Sequence, residues 1–234
     1  PENDAMLPKA VENYRKAIEK LANSTEPQAA QFRKLSYEYL IAAYGSDKLN
    51  DFTQAEPLAK ELIALEPNEP GNYQALAKLY EDQGQYDEAE AMFRKATEVK
   101  ADDPAGYQLL AGYYNRQGQF EKTIDAFQRR AAMEPNNPEA WHTIGTYYYD
   151  KGLRDKSLAK DVAKSYVKNG LAAEDKALAL NKDYFEAVTY KNLLIRLQAL
   201  QEPQNAKALL AEADQLRDRA LALQKAQTGG GKKD

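Results

Sequence analysis

The sequence predicts an all-α fold, a solenoid of paired helices written as one helix–turn–helix unit used several times. Three observations predict it. First, residues recur at a constant 34-residue spacing: Tyr73, Tyr107 and Trp141; Leu76, Leu110 and Ile144; Ala77, Ala111 and Gly145; Tyr80, Tyr114 and Tyr148; Gly84, Gly118 and Gly152. A fixed period in this range marks a stacked repeat architecture. Second, within each unit the apolar residues fall at i, i+3, i+4 and i+7, as in Tyr73, Leu76, Ala77 and Tyr80, which is the spacing of one helix face. Third, each unit opens on a proline (Pro70, Pro104, Pro138) and turns at a glycine. Proline is tolerated in a first helical turn, and Gly84 and Gly118 permit the positive φ of a tight helix exit.

The elements follow in order. Residues 5–22 predict a lone helix with Ala10, Tyr14, Ala17 and Leu21 on one stripe and Pro8 in its first turn. The spacing Ala10, Tyr14, Ala17 reproduces Ala89, Phe93, Ala96, so the chain opens on a second-type helix. Asn23–Thr25 fits a glycosylation sequon, and the plain reading is a turn. Repeats are predicted over 28–69, 70–103, 104–137, 138–184 and 185–227. In the first, Tyr37, Leu40 and Tyr44 take the first-helix columns, while Phe52, Ala55, Ala59 and Leu62 take the second. Its Pro57 must lie in about the first turn. Small residues at Ala77, Ala111 and Gly145 let paired helices approach closely. Arg130 breaks the Ala96 column, and its stem is expected to snorkel outward.

After Gly152 the spacing Leu158, Val162, Tyr166, Gly170, Ala173, Ala177 predicts one long second helix over 155–180, overhanging by ~20 Å at 1.5 Å per residue. Gly170 inside it indicates close packing. Residues 184–200 predict the next first helix. Pro203 breaks the chain, and 206–225 predict a final helix with Leu209, Ala213, Leu216, Ala220 and Leu223 on one stripe. The glycine-rich stretch 228–234 is expected to be a flexible tail. Residues 1–227 are read as one solenoid domain.

The ladder resembles the tetratricopeptide repeat, whose pattern of large aromatic, Leu-Gly, Tyr, then Ala, Phe, Ala and a closing Pro matches these columns. The resemblance implies a right-handed solenoid that binds or builds with other proteins. The stretch Tyr184-Phe185-Glu186-Ala187-Val188-Thr189-Tyr190-Lys191-Asn192-Leu193-Leu194 is similar to a block in bacterial exported members of unassigned function. With the chain starting at Pro1 rather than Met, an exported location, periplasmic or extracellular, is expected over a cytoplasmic one.

Composition narrows the function classes. Net charge is -4, with acids and bases interspersed, which argues against a nucleic-acid partner. No apolar run approaches the ~18 residues of a membrane span. There is no cysteine and one histidine, so thiolate chemistry and multi-histidine zinc sites are impossible. No enzyme, cofactor or metal is expected.

Candidate residues fall into three sets. The resemblance implies a groove lined by first helices: Gln74, Lys78 and Glu81; Gln108, Gly112 and Asn115; His142, Thr146 and Tyr149. Family members that capture a peptide's terminal carboxylate place Lys and Asn one turn apart, which Gln74 with Lys78 and Gln108 with Gly112 do not. His142 is read as a plain groove residue rather than a switch. A second set is the lysine stripe Lys156, Lys160, Lys164 and Lys168, a solvated face or a basic rail for an acidic surface. The third is a self-assembly joint. The apolar arc of 5–22 spans roughly 160°, wider than a one-sided helix needs, and the final helix carries Leu210 and Leu221 off its stripe. Two unlike complementary ends make head-to-tail contacts that give rings or filaments, with Met6, Val11, Ile18, Leu210 and Leu221 at the joint. The expected partner is therefore another copy of the chain, or else an unidentified protein in the groove. Of the sixteen tyrosines, Tyr73, Tyr80, Tyr86, Tyr107, Tyr114 and Tyr148 are read as space-filling, while Tyr39, Tyr113, Tyr147 and Tyr149 are interface candidates.

Overall fold

A computed structural model gives the fold. It describes residues 2–229, with side chains over 6–227. Of the expected tail at 228–234, 230–234 lie outside the described residues, as do the side chains of 228 and 229. Among the described residues there are eleven helices and no strand. The chain divides into two compact units, Pro1–Tyr113 and Tyr114–Asp234.

The first unit holds α1 (Glu2–Leu21), α2 (Ala29–Tyr44), α3 (Phe52–Leu65), α4 (Pro70–Asp82), α5 (Tyr86–Val99) and most of α6 (Pro104–Arg116). The repeat columns become its core: Leu40, Ala55, Ala59, Leu62, Leu76, Ala77, Ala89, Phe93 and Ala96 are buried. Each large apolar side chain so removed from water contributes roughly 1.5–3 kcal/mol. The start of each first helix explains its proline. Pro70 stands at the first helical position, where no N–H is needed, and Glu69 before it accepts from the Gly71 N–H at 3.3 Å. Asp103 does the same for Ala105 N–H at 3.0 Å, a bond that holds its carboxyl below the usual range. The exit is also as expected: Gly84 has φ +73° and Gly118 in the second unit +68°.

Two prolines lie deeper than expected. Pro8 is the seventh residue of α1 and Pro57 the sixth of α3, because each helix starts early enough to carry its proline past the first turn. Each costs one i→i−4 hydrogen bond. Tyrosine hydroxyls reach carboxylates at the helix edges, Tyr37 to Glu61 and Tyr80 to Glu56, both at 2.8 Å. Tyr113 is core rather than surface: it is buried, and its hydroxyl donates to the Tyr86 carbonyl at 2.7 Å. Tyr86, expected to fill space, is instead exposed.

The second unit holds the end of α6, then α7 (Phe120–Met133), α8 (Pro138–Arg154), α9 (Lys160–Leu180), α10 (Phe185–Gln201) and α11 (Ala206–Gly229). Asn137 Oδ1 caps α8 by accepting from Glu139 N–H at 3.0 Å. The single long helix expected over 155–180 is replaced by a break. α8 runs on to Arg154, and 155–159 form a turn in which Asp155 Oδ1 accepts from the Ser157 N–H at 3.0 Å. This side chain gives the backbone an alternative to the helical bond. Two consequences follow. Gly152 is an interior residue of α8, and a Cβ there would sit 3.4 Å from Leu197. Lys156 lies in the turn, so the helical stripe is reduced to Lys160, Lys164 and Lys168.

Packing in this unit is tight where the small residues stand. A Cβ on Gly170 would lie 2.9 Å from Leu194 Cδ2 and 3.2 Å from Tyr148 Cβ. Arg130 does not snorkel outward. It is buried, with Nε donating to Glu134 at 2.8 Å and Nη2 3.5 Å from Glu139.

Candidate functional site

The residues that stand apart from packing gather on α8, α9 and α10 of the second unit. Helical spacing puts His142, Thr146 and Tyr149 on one face of α8. Tyr190 of α10 meets this face twice, with its ring edge-on to His142 at 5.2 Å and to Tyr149 at 5.5 Å. Tyr184 also meets the imidazole edge-on, at 5.3 Å. Beside this cluster lies a cavity of about 630 Å³ lined by Asn115, Thr146, Tyr147, Asp150, Arg154 and Tyr190 among others. Asp150 pairs with Arg154 at 3.4 Å, and Lys151 pairs with Asp155 at 2.9 Å. The cavity thus combines aromatic rings with balanced charge.

Beneath the face sits Glu174 of α9, 0% exposed, with both carboxyl oxygens 3.1 Å from His142 Nδ1. Its space comes from Gly145, since a Cβ there would lie 2.6 Å from Glu174 Cδ and overlap Oε1. One ring nitrogen serves two oxygens that could accept about four bonds. Burial pushes the Glu174 carboxyl up to about 7, with the hydrogen bond and charge of His142 acting the other way and Asp175 adding slightly. Trp141 next to the histidine carries Lys176 Nζ over its ring at 3.8 Å.

The structure brings only some of the sequence candidates together. Asn115 lines the cavity, and His142 and Tyr149 share Tyr190. In the first unit Gln74 and Lys78 lie one turn apart on α4. Gln74 is half-buried, Lys78 is exposed and paired with Asp82, and Gln108 is exposed on α6. Lys164 and Lys168 flank a separate cavity of about 480 Å³ over Val167 and Leu171, with Gln198 and Gln201 opposite; Lys156 and Lys160 are exposed. Of the joint residues, Met6 is 67% exposed, Leu210 40% and Leu221 48%, while Val11 and Ile18 are half-buried. Among the interface tyrosines, Tyr39 is exposed and stacks on Tyr14 at 4.9 Å, while Tyr147 packs on Phe127 at 4.8 Å. Sequence reasoning misses Glu174, Tyr184 and Tyr190. The one available signal is Gly145, smaller than Ala77 and Ala111 and three residues after the only histidine.

Among the described residues no group of three His, Cys, Asp or Glu could hold a metal ion, and no helix is long and apolar enough to cross a membrane.

Capped helix pairs at one period, with small residues at their crossings, define a helical repeat module of the kind that binds other proteins. The tetratricopeptide repeat family matches residues 48–113 and again 104–146. Residues 48–146 are tetratricopeptide repeats, and the chain has the all-α solenoid fold that such repeats build. A crystal structure of MamA protein is similar over 86% of this chain and 96% of its own, at 18% identity and a TM-score of 0.55. MamA from residue 41 onward of Desulfovibrio magneticus RS-1 is similar over 83% and 96%, at 14% identity and a TM-score of 0.52. The C-terminal part of a repeat-containing protein from Cytophaga hutchinsonii is similar over 97% and 79%, at 15% identity and a TM-score of 0.58. At these identities the likeness is one of fold. No curated protein matches the chain.

Proposed function

We propose that this chain is a non-enzymatic interaction and assembly module that associates with copies of itself through its terminal helices. The supporting observation is the contrast between α1 and the helix it imitates. In α5 the column Ala89, Phe93, Ala96 is 0%, 5% and 2% exposed. The same column in α1, Ala10, Tyr14 and Ala17, is only half-buried, as are Leu7, Val11, Ile18 and Leu21, and no described side chain of α1 is fully buried. A repeat helix that leaves its apolar arc half open is completed by a neighbour. Leu210 and Leu221 give α11 apolar side chains among Arg217, Asp218 and Arg219 on which a second copy can seat. The test is light scattering with negative-stain microscopy over a concentration series, on the wild type and on Val11→Glu/Ile18→Glu. Concentration-dependent growth that the double variant abolishes is expected. A wild type that stays a monomer at high concentration rejects the proposal, and equal growth of both proteins moves the joint elsewhere.

A second reading has its own support in the cavity beside His142, Tyr149 and Tyr190: the module holds a partner segment on the first-helix face of the second unit. Balanced charge there, and the lack of a Lys–Asn carboxylate clamp at Gln74–Lys78, predict that peptides with free and amidated C-termini bind equally. A clear calorimetric preference for the free carboxylate contradicts this.

A further inference from the structure

The His142–Glu174 pair does not serve packing in the way its neighbours do. The units before it carry Ala77 and Ala111 where Gly145 stands, and both are fully buried. Here the methyl is given up, and a carboxyl group from α9 fills the space, buried against α8 and answered by one imidazole nitrogen. Burying an ionised carboxylate with so few donors is unfavourable, and such a group takes up a proton more readily than it does in water.

We propose that His142 and Glu174 form a proton switch under the first-helix face of the second unit, which converts His142 Nε2 from a hydrogen-bond acceptor into a donor. The bond order follows from the geometry alone. Without an added proton, the carboxylate accepts from Nδ1–H, and Nε2 carries the lone pair. One added proton has two possible seats. On the ring it gives an imidazolium whose Nδ1–H still donates to the carboxylate and whose Nε2 now bears hydrogen. On the carboxyl it makes an O–H that donates to Nδ1, which shifts the ring's own hydrogen to Nε2. Either way Nε2 becomes a donor, so the outcome does not depend on how the pair shares its proton. Among the described residues no hydrogen-bond partner reaches Nε2. Tyr184, just before α10, and Tyr190 within it meet the ring edge-on, one turn from the cavity that Thr146 and Tyr190 line.

The charges that face the pair come from every neighbouring element. Glu139 shares α8 with His142 and is approached from α7 by Arg130 at 3.5 Å. On α9, Asp175 follows Glu174 and is paired with Lys191 of α10 at 2.6 Å, and Lys176 lies over Trp141. From α10, Glu186 acts on Tyr184, whose hydroxyl is pushed up by burial and then by Glu186, Glu139 and Glu174. None of these reaches the carboxyl as closely as His142, and burial holds its titration near neutrality. Resting on the reading that this face receives a partner, the switch makes binding proton-linked. A segment that offers a backbone carbonyl oxygen to His142 is held in the proton-loaded form and released as the pair gives up its proton.

The chain contains one histidine, so nitrogen-edited NMR of the whole protein reads the switch with no ligand. In the wild type, Nε2 is expected to change from lone-pair-bearing to hydrogen-bearing as the pair takes up its proton on acidification. In Glu174→Gln the midpoint should move by at least half a pH unit. Superimposable titrations of the two proteins, or an Nε2 that bears hydrogen throughout, overturn the proposal. A thermal melt of the variant confirms that it is folded, and Glu174→Asp, which keeps the carboxyl, should retain the two-state Nε2 behaviour. The partner reading fails separately: a random-sequence peptide pool that leaves the His142 and Tyr190 ring signals unmoved rejects it while the switch still titrates.

Discussion

Tyr114 begins the second unit and is the plainest case of one residue set by its column. It is 3% exposed, with Lys122 Nζ 5.1 Å from its ring centroid. Replacing it by alanine leaves a cavity where the repeat offers nothing to collapse into, and Tyr114→Ala is expected to destabilise by ~3 kcal/mol or more. Urea denaturation checks this, and a loss below ~1 kcal/mol contradicts the burial. Columns of this kind are legible because a ring at fixed spacing has one physical use. Polar residues that leave the pattern are not. Arg130 reads as a surface side chain, yet it is buried because Glu134 and Glu139 both lie within its reach. Glu174 likewise reads as one more helical acid, since nothing in its own neighbourhood of sequence announces the space left by Gly145.

At the scale of the element, helices are legible where apolar period and cap agree, as at Glu69–Pro70 and Asn137–Pro138. They are illegible where the two conflict. Leu158, Val162 and Tyr166 continue a helical stripe through a stretch that Asp155 and Ser157 fold into a turn, so periodicity alone joins α9 to residues that do not belong to it. Inside α9 the crossing with α10 is legible, because a glycine in a helix interior needs a reason. Gly170→Ala gains ~1 kcal/mol of helix propensity but places a methyl 2.9 Å from Leu194 Cδ2 and 3.2 Å from Tyr148 Cβ. Overpacking of this kind costs ~1–3 kcal/mol, and the backbone-proximal Tyr148 Cβ cannot turn aside as a side-chain end can. Net destabilisation is therefore expected in urea, and Gly170→Ala more stable than wild type contradicts the crossing. The contrast is Gly84→Ala, where nothing lies within 4 Å of the new methyl. There the loss should come from the φ of +73° alone, ~1 kcal/mol.

For the whole molecule, pH joins the buried carboxyl to stability. The Glu174 carboxyl titrates near about 7 when folded and near its ordinary 4.5 when unfolded. A raised carboxyl favours the protonated folded state. Its contribution is fully present below about 4.5 and is lost as pH rises through about 7. Groups with depressed carboxyls act oppositely and elsewhere. Asp155, held down to about 2 by hydrogen bonds from Ser157 and Lys151, and Glu56, held down by Lys60 and Tyr80, add stability that disappears only as pH falls below the ordinary carboxylate range. Stability is therefore expected to peak in mildly acidic solution and to decline between about pH 5 and pH 8. Glu174→Gln removes the titrating group while keeping its shape and an oxygen to accept from His142 Nδ1. The variant should show a flatter curve over that window and exceed the wild type at about pH 8. Urea midpoints measured across the range decide it: a wild-type curve that rises towards pH 8, or a variant that declines as steeply as the wild type, shows that Glu174 is not the group that couples this fold to protons.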